Sequence, residues 1–202
     1  MSIHTAKLIV LLAAVTAANV SCGSVVRDGK SPVYLVIDSL VAKRGGGDDP
    51  EGGTLLSDVL TKGGTFNDTG TVTLRMSPKD IGSSSTATQP SLNNEVTINR
   101  YRVVYRRADG RNAPGVDVPY AFDGAATGTI PVGGTLKIGF ELVRHAAKEE
   151  SPLVQLQFKN GNTPPVISTI TDVTFYGRDQ VGNEVNVTGS MLIDFGDFAD
   201  PK

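Results

Sequence analysis

Hydrophobic and polar residues alternate along much of this chain with a period of two, the spacing typical of β-strands that bury one face. Residues 71–76 are a clear case, because Val72, Leu74 and Met76 fall on one face before Pro78. The strands predicted in this way are residues 33–37, 71–76, 95–107, 136–143, 153–158, 173–175 and 185–195.

Turn-forming clusters rich in glycine, proline and asparagine separate these strands, as in an all-β protein. The clusters are residues 45–53, 62–64, 67–70, 82–90, 109–115, 160–165 and 182–183. We therefore predict an antiparallel β-sandwich of about seven to nine strands with little helix. Residues 54–60 are either a short helix or an edge strand. The polar residues 45–53 and 82–90 are expected to form mobile loops.

Residues 171–187 resemble the closing hairpin of bacterial immunoglobulin-like domains, in which a strand runs into Asp-x-x-Gly-Asn and the last strand follows. The matching positions are Asp179, Gly182 and Asn183. Asp179 can accept hydrogen bonds from backbone amides of the turn, and Gly182 permits a positive φ. The resemblance implies an immunoglobulin-like sandwich. It implies no particular activity, because such domains serve as spacers, adhesion modules and binding modules.

The chain begins with a short apolar leader. Lys7 precedes an apolar stretch of eleven residues, 8–18, and the single cysteine of the chain, Cys22, follows. The stretch is too short to span the ~30 Å core of a bilayer, which needs about 20 apolar residues. It is typical of a secretory signal.

The leader resembles a bacterial lipoprotein signal. Val20 and Ser21 fit that pattern before the cysteine, and Asn19 stands where the family usually has leucine. The resemblance implies that Cys22 is acylated and becomes the N-terminus of the mature protein. Cleavage by an ordinary signal peptidase is the alternative. Gly23 is not the aspartate associated with inner-membrane retention, which implies the outer membrane, on its periplasmic side or at the cell surface.

We expect three parts in the chain. Residues 1–21 are the signal peptide, residues 22–32 are a polar tether that begins at the lipidated cysteine, and residues 33–202 form one β-sandwich domain. No second hydrophobic block requires another domain.

Composition narrows the possible partners. Lys7 is the only charged residue of the leader, so the rest of the chain has 18 basic and 21 acidic residues and a net charge of −3. This mild acidity argues against nucleic acid as a partner. If Cys22 carries lipid, no thiol remains for a disulfide or a nucleophile. No cofactor is expected.

No residues of a catalytic or metal site stand out, and we expect no enzyme activity. His145 is the only histidine after the leader and lies in a polar segment, whereas a catalytic triad needs a histidine against a serine and an acid. Calcium needs six to eight oxygen ligands. The weak calcium candidates are Asp48, Asp49 and Glu51 in one cluster and Asp179 and Asn183, beside Glu184, in another. Solvated turn carboxylates explain both clusters without a metal.

The most unusual surface feature is a row of arginines in residues 98–107. In an extended strand Arg100, Arg102 and Arg106 share one face, while Tyr101 and Tyr105 share the other with Val103. Guanidinium groups can bind a carboxylate or phosphate polymer, or an acidic partner protein. The alternative is a solvated sheet face paired with acids on neighbouring strands, such as Glu141.

Together these patterns favour a non-enzymatic, lipid-anchored protein of the cell envelope that binds or scaffolds an envelope protein or polysaccharide. The membrane would be reached through the lipid on Cys22. The alternative is a surface adhesin or glycan-binding module, for which exposed tyrosines in loops would be the distinguishing feature.

Overall fold

The computed structural model describes residues 29–158 and 165–198. Cys22, the predicted signal peptide and the first part of the predicted tether lie outside the described residues. Most of the predicted turn at 160–165 lies outside them too.

Two sheets contain the main strands. A three-stranded sheet has the order β1-β3-β8, and a five-stranded sheet has the order β2-β10-β9-β6-β7. Strands β4 and β5, of two residues each, form a separate two-stranded sheet. The strands are β1 (Val33–Lys43), β2 (Thr54–Asp58), β3 (Asp68–Pro78), β4 (Gly82–Ser83), β5 (Thr86–Ala87), β6 (Val96–Arg106), β7 (Phe122–Ile130), β8 (Thr135–Val143), β9 (Ile167–Asp179) and β10 (Glu184–Gly196). One short helix, α1 (His145–Lys148), occurs among the described residues.

The strand order is that of an immunoglobulin-like sandwich. Strands β1, β3 and β8 correspond to A, B and E of that fold, and β10, β9, β6 and β7 correspond to G, F, C and C′. The all-β prediction is therefore confirmed. One pair departs from the predicted antiparallel arrangement, because β2 runs parallel to β10. After β1 the chain turns back, with Ala42 and Gly52 forming an antiparallel bridge, and then enters the second sheet as β2.

The core lies between the sheets and is filled by the inward residues of each strand. Its aromatic centre contains Tyr101, Phe140 and Phe175, with ring centroids 5.1 Å apart for Tyr101–Phe140 and 5.2 Å apart for Phe140–Phe175. Tyr105, also on β6, crosses the core and donates a hydrogen bond of 2.7 Å to the Leu142 carbonyl on β8. This bond joins the two sheets directly.

We expect Tyr105→Phe to lower the free energy of unfolding by about 1–2 kcal/mol, because a buried hydrogen bond is lost while the ring packing is kept. Chemical denaturation followed by circular dichroism measures this. Tyr120→Phe, at an exposed ring, is the matched control and should be neutral. Equal stability of wild type and Tyr105→Phe would contradict the role given to the hydroxyl.

The structure corrects several local predictions. Residues 153–158 are not a strand, because Leu153–Leu156 form a 3₁₀ turn. Leu153 and Leu156, three positions apart, are both buried there, which an alternating strand would not allow. Residues 54–60 contain the edge strand β2 rather than a helix. The predicted loop at 82–90 contains the β4-β5 hairpin.

Strand β7 was not predicted, because its small residues hide the alternation. Gly124 shows why they are small, since a side chain there would overlap the Tyr101 ring. No helix within the described ranges is long and apolar enough to cross a membrane.

Candidate binding face

Strand β6 carries the three predicted arginines on the outer face of the five-stranded sheet. A β-bulge between Ile98 and Arg100 shifts the register, so that Ile98 faces the core while Asn99 and Arg100 both face outward. Arg102 and Arg106 then follow on the outer face. We call Arg100, Arg102 and Arg106 the arginine face.

Two aspartates from neighbouring strands pair with the arginine face. Asp123 on β7 lies 3.4 Å from Arg100 Nη1 and 2.6 Å from Arg102 Nη1. Asp172 on β9 lies 2.6 Å from Arg106 Nη2. Cross-strand pairs of this kind were predicted as the alternative to a binding face. The acids that form them are Asp123 and Asp172 and not Glu141.

The suggestion that Glu141 pairs with this face was wrong. Glu141 lies on β8, in the other sheet, and accepts a hydrogen bond of 2.7 Å from the Asn67 amide. Alternation gives the face of each residue but not which sheet its strand joins. The pairing could not have been predicted without the strand order.

The ion pairs leave the arginine face able to bind a partner. All three arginine side chains remain roughly half exposed, and three guanidinium groups face two carboxylates. Each guanidinium has five N–H donors in a planar fork, and a single carboxylate uses at most two of them. The face therefore keeps free donors and a net positive charge within a mildly acidic protein.

A tyrosine that sequence reasoning missed extends this face. The Arg100 guanidinium carbon lies 3.7 Å from the centroid of the Tyr176 ring on β9, a stacked cation–π contact. Beside them is a polar cleft of about 290 Å³, lined in part by Asn99, Arg178 and Asn186. The β6–β9 register, which pairs Arg100 with Tyr176, is the only signal that could have placed the tyrosine here.

The two weak calcium clusters lie at opposite ends of the sandwich, and several of their carboxylate oxygens already have partners within the protein. Asp49 pairs with Arg44 at 2.8 Å, and Glu51 accepts a hydrogen bond of 2.7 Å from Thr71. Asp48 adds an exposed carboxylate. Among the described residues, no three histidine, cysteine or acidic side chains are grouped to hold a metal.

The second cluster shapes the closing turn. The Asp179 carboxylate accepts hydrogen bonds from the backbone N–H of Asn183 at 2.8 Å and of Val181 at 3.1 Å. Burial alone would raise the pKa of Asp179, but the hydrogen bonds from Asn183, Ser31 and Val181 lower it below the usual range. Gly182 has φ +89°, as the turn requires.

His145 stands exposed at the start of α1, away from the arginine face. Its Nδ1 lies 2.9 Å from the Asn67 side-chain oxygen. Its ring is thus held by an amide rather than by the serine and acid of a catalytic triad.

A buried ion pair is the main polar feature that sequence reasoning missed. Lys148 Nζ lies 2.8 Å from Asp68 Oδ1, and both side chains are fully buried. The carboxylate also accepts hydrogen bonds from Ser57 Oγ at 2.6 Å and from the Gly45 N–H at 2.8 Å. Burial raises the pKa of Asp68, and the charge of Lys148 offsets part of that rise. Because the protein itself supplies the partners of the Asp68 carboxylate, we interpret this buried ion pair as structural.

Comparison with known proteins gives limited help. No family model and no curated protein matches this chain. Two solved structures are similar in part. One is the Northeast Structural Genomics Consortium target SoR45, with 11% identity and a TM-score of 0.37, covering 82% of this chain and 86% of that one. The other is Spo0M, a sporulation control protein from Bacillus subtilis, with 10% identity and a TM-score of 0.27. The match covers 80% of this chain and about half, 48%, of Spo0M.

Proposed function

We propose that this protein is a non-enzymatic, lipid-anchored module of the cell envelope that binds an anionic envelope polymer or protein through the arginine face. The observation that carries the proposal is the outward, half-exposed placement of Arg100, Arg102 and Arg106 on one sheet face. Such a face presents several planar donors to carboxylate or phosphate groups. The leader and Cys22 supply the proposed attachment to the outer membrane.

The ion pairs on this face are compatible with binding. Exposed pairs contribute about 0–1 kcal/mol each, so an incoming anion can compete with Asp123 or Asp172 at little cost in stability. Arg100 is the best placed, because its contact to Asp123 is long, 3.4 Å, and Tyr176 supports its guanidinium from one side. The face is thus held in shape while its donors stay reachable.

A glycan-binding module receives less support from the exposed tyrosines. Tyr34 lies near the start of β1, and Tyr120 lies just before β7, at the opposite end of the sandwich. Two rings placed so far apart cannot form one stacking platform for a sugar chain. Tyr176 lies in the sheet face, but its ring is covered in part by Arg100.

The test is a triple variant, Arg100→Gln, Arg102→Gln and Arg106→Gln. We expect it to bind immobilised alginate, a carboxylate polymer, or lipopolysaccharide, a phosphate-bearing one, at least about tenfold more weakly, since tenfold corresponds to 1.4 kcal/mol. Its melting temperature should change little, because exposed pairs are worth about 0–1 kcal/mol each. Biolayer interferometry and thermal melting measure the two effects.

A matched control removes the same charge elsewhere. Arg75→Gln, Arg107→Gln and Arg111→Gln change three ion-paired arginines outside the arginine face, of which Arg75 and Arg111 are exposed and Arg107 is partly buried. If the control weakens binding as much as the test variant, net charge rather than this face is responsible. A large loss of stability in the test variant would instead make the guanidinium groups structural.

A further inference from the structure

Four chain segments meet at the end of the sandwich where the described chain begins. Strand pairing places them together, because Val33 pairs with Pro78, and Val96 pairs with both Ile130 and Asp179. The segments are residues 29–32, 79–95, 131–134 and 180–183. We call them the N-terminal tip.

The N-terminal tip exposes apolar side chains on three separate connections. Ile81 is 75% exposed, Leu92 is 73% exposed and Val181 is 64% exposed. Val132 is partly exposed on the β7–β8 connection. Loop ends in water are usually polar, so several apolar side chains at one end indicate a surface that meets something apolar.

The tip is also poor in charge. Its four segments contain Lys30, Lys79, Asp80 and Glu95, and no net charge. The opposite end also exposes apolar residues, including Val116, but these stand among many carboxylates. The acids are Asp48, Asp49, Glu51, Asp109, Asp117, Glu149, Glu150 and Asp197, and the six bases of the same segments, Arg44, Lys62, Arg107, Arg111, Arg144 and Lys148, leave a net charge of −2. An anionic lipid surface therefore repels that end weakly and does not repel the tip, which has no net charge.

The position of the proposed lipid anchor selects the same end. Gly29 lies seven positions after Cys22, and a fully extended chain covers at most ~3.3–3.6 Å per residue, so the tip can be no more than about 25 Å from the acyl-bearing residue. A strand such as β9, of 13 residues, is roughly 40 Å long at about 3.3 Å per residue. The tether is shorter than the sandwich, so it excludes the inverted orientation, in which the opposite end rests on the bilayer and the tip is roughly 40 Å above it.

We propose that the N-terminal tip sits on the lipid bilayer, with Ile81, Leu92 and Val181 entering the interface between headgroups and acyl chains. Lys79, whose Nζ lies 5.1 Å from the centroid of the Tyr34 ring, stands beside them at the headgroup level. This inference rests on the proposed lipid anchor. It implies that the sandwich stands upright, with the arginine face turned sideways along the membrane and open to partners.

The absence of tryptophan from this chain makes the test direct. Ile81→Trp introduces a single reporter at the tip, and Val116→Trp, at a similarly exposed apolar position on the opposite end, is the matched control. The full-length protein extracted from membranes is reconstituted into vesicles of phosphatidylethanolamine and phosphatidylglycerol with doxyl-labelled lipids. Tryptophan quenching reports contact with the acyl region.

We expect quenching at position 81 to be at least about twofold stronger than at position 116, with a blue-shifted emission only at position 81, as for side chains buried ~5–10 Å into the interface. Equal quenching at both positions, or none at either with the protein on the vesicles, would overturn the inference.

Failure of the anchor is a separate outcome. If the lipid anchor is absent, the protein does not stay on the vesicles. Coupling the Cys22 thiol to a maleimide lipid then restores attachment. The same comparison of positions 81 and 116 decides the orientation.

Discussion

Replacing Lys148 with methionine is expected to lower the free energy of unfolding by about 3–5 kcal/mol, because it leaves the carboxylate of Asp68 buried without its countercharge. Both side chains are fully buried, 2.8 Å apart, so water cannot replace the lost partner. Methionine keeps the length and apolar stem of lysine, which limits any cavity. Chemical denaturation of the wild type and the variant measures the difference.

A double-mutant cycle separates the ion pair from simple packing. Asp68→Asn keeps an oxygen that can accept from the Gly45 N–H but removes the charge. We expect Asp68→Asn with Lys148→Met to cost clearly less than the sum of the two single changes, because neither partner is then left charged and buried. Additive losses would show that the two groups are not coupled. Lys137→Met, on an exposed lysine of β8, is the matched control and should be neutral.

The same variant should show a definite pH dependence. Burial raises the pKa of Asp68 in the wild type, and removing the charge of Lys148 raises it further. A carboxyl whose folded pKa exceeds its unfolded value, about 4, contributes stability that is present below that value and lost as the pH rises through the folded pKa. The free energy of unfolding that Lys148→Met loses relative to the wild type should therefore be smallest in acid and should grow toward neutral pH. A deficit independent of pH would contradict this explanation.

Replacing Cys22 with serine is expected to release the protein from membranes almost completely, because serine cannot receive a thioether-linked lipid. Each buried methylene of an acyl chain is worth about 0.8 kcal/mol, so the attached chains would dominate membrane affinity. The apolar side chains of the N-terminal tip are too few to hold the domain by themselves. Fractionation of cells into membrane and soluble parts, followed by immunoblotting, measures the change.

Two further variants make that result specific. Ser21→Ala keeps the cysteine and should leave the protein on the membrane. Cys22→Ser combined with the triple arginine variant removes both the proposed anchor and the proposed partner contact, so any Cys22→Ser protein that sediments with membranes through a bound envelope polymer should be released in the combined variant. Retention of the combined variant in the membrane fraction would contradict lipid anchoring.

Sequence alternation was sufficient to predict the class of fold, because each long strand has one inward apolar face. It was insufficient where the side chains of a strand are small. It was also insufficient where a short apolar segment fits both the period of a strand and that of a helical turn. Strand β7 contains Gly124 and Gly128, which make room for Tyr101 and Leu136 and so leave little hydrophobic signal. Leu153 and Leu156 suit a short helical turn as well as a strand end, and the turn is what forms.

At the candidate site, too, sequence alternation predicts the orientation of side chains within one strand but not the partners that other strands supply. The outward placement of the three arginines follows from a period of two within one strand. Their partners Asp123 and Asp172 come from β7 and β9, and only the strand order brings them close. Lys148 lies in a charged stretch that reads as solvated, yet it pairs with a residue 80 positions earlier. Burial of that kind is set by tertiary packing and leaves no local pattern.

The most direct test of the central proposal, a lipid-anchored binding module, is the intact mass of the protein that is extracted from membranes after expression of the whole chain. We predict a polypeptide that lacks residues 1–21 and carries additional acyl mass on an N-terminal Cys22. A polypeptide with a free Cys22 thiol, or one that begins at another residue, would contradict the account.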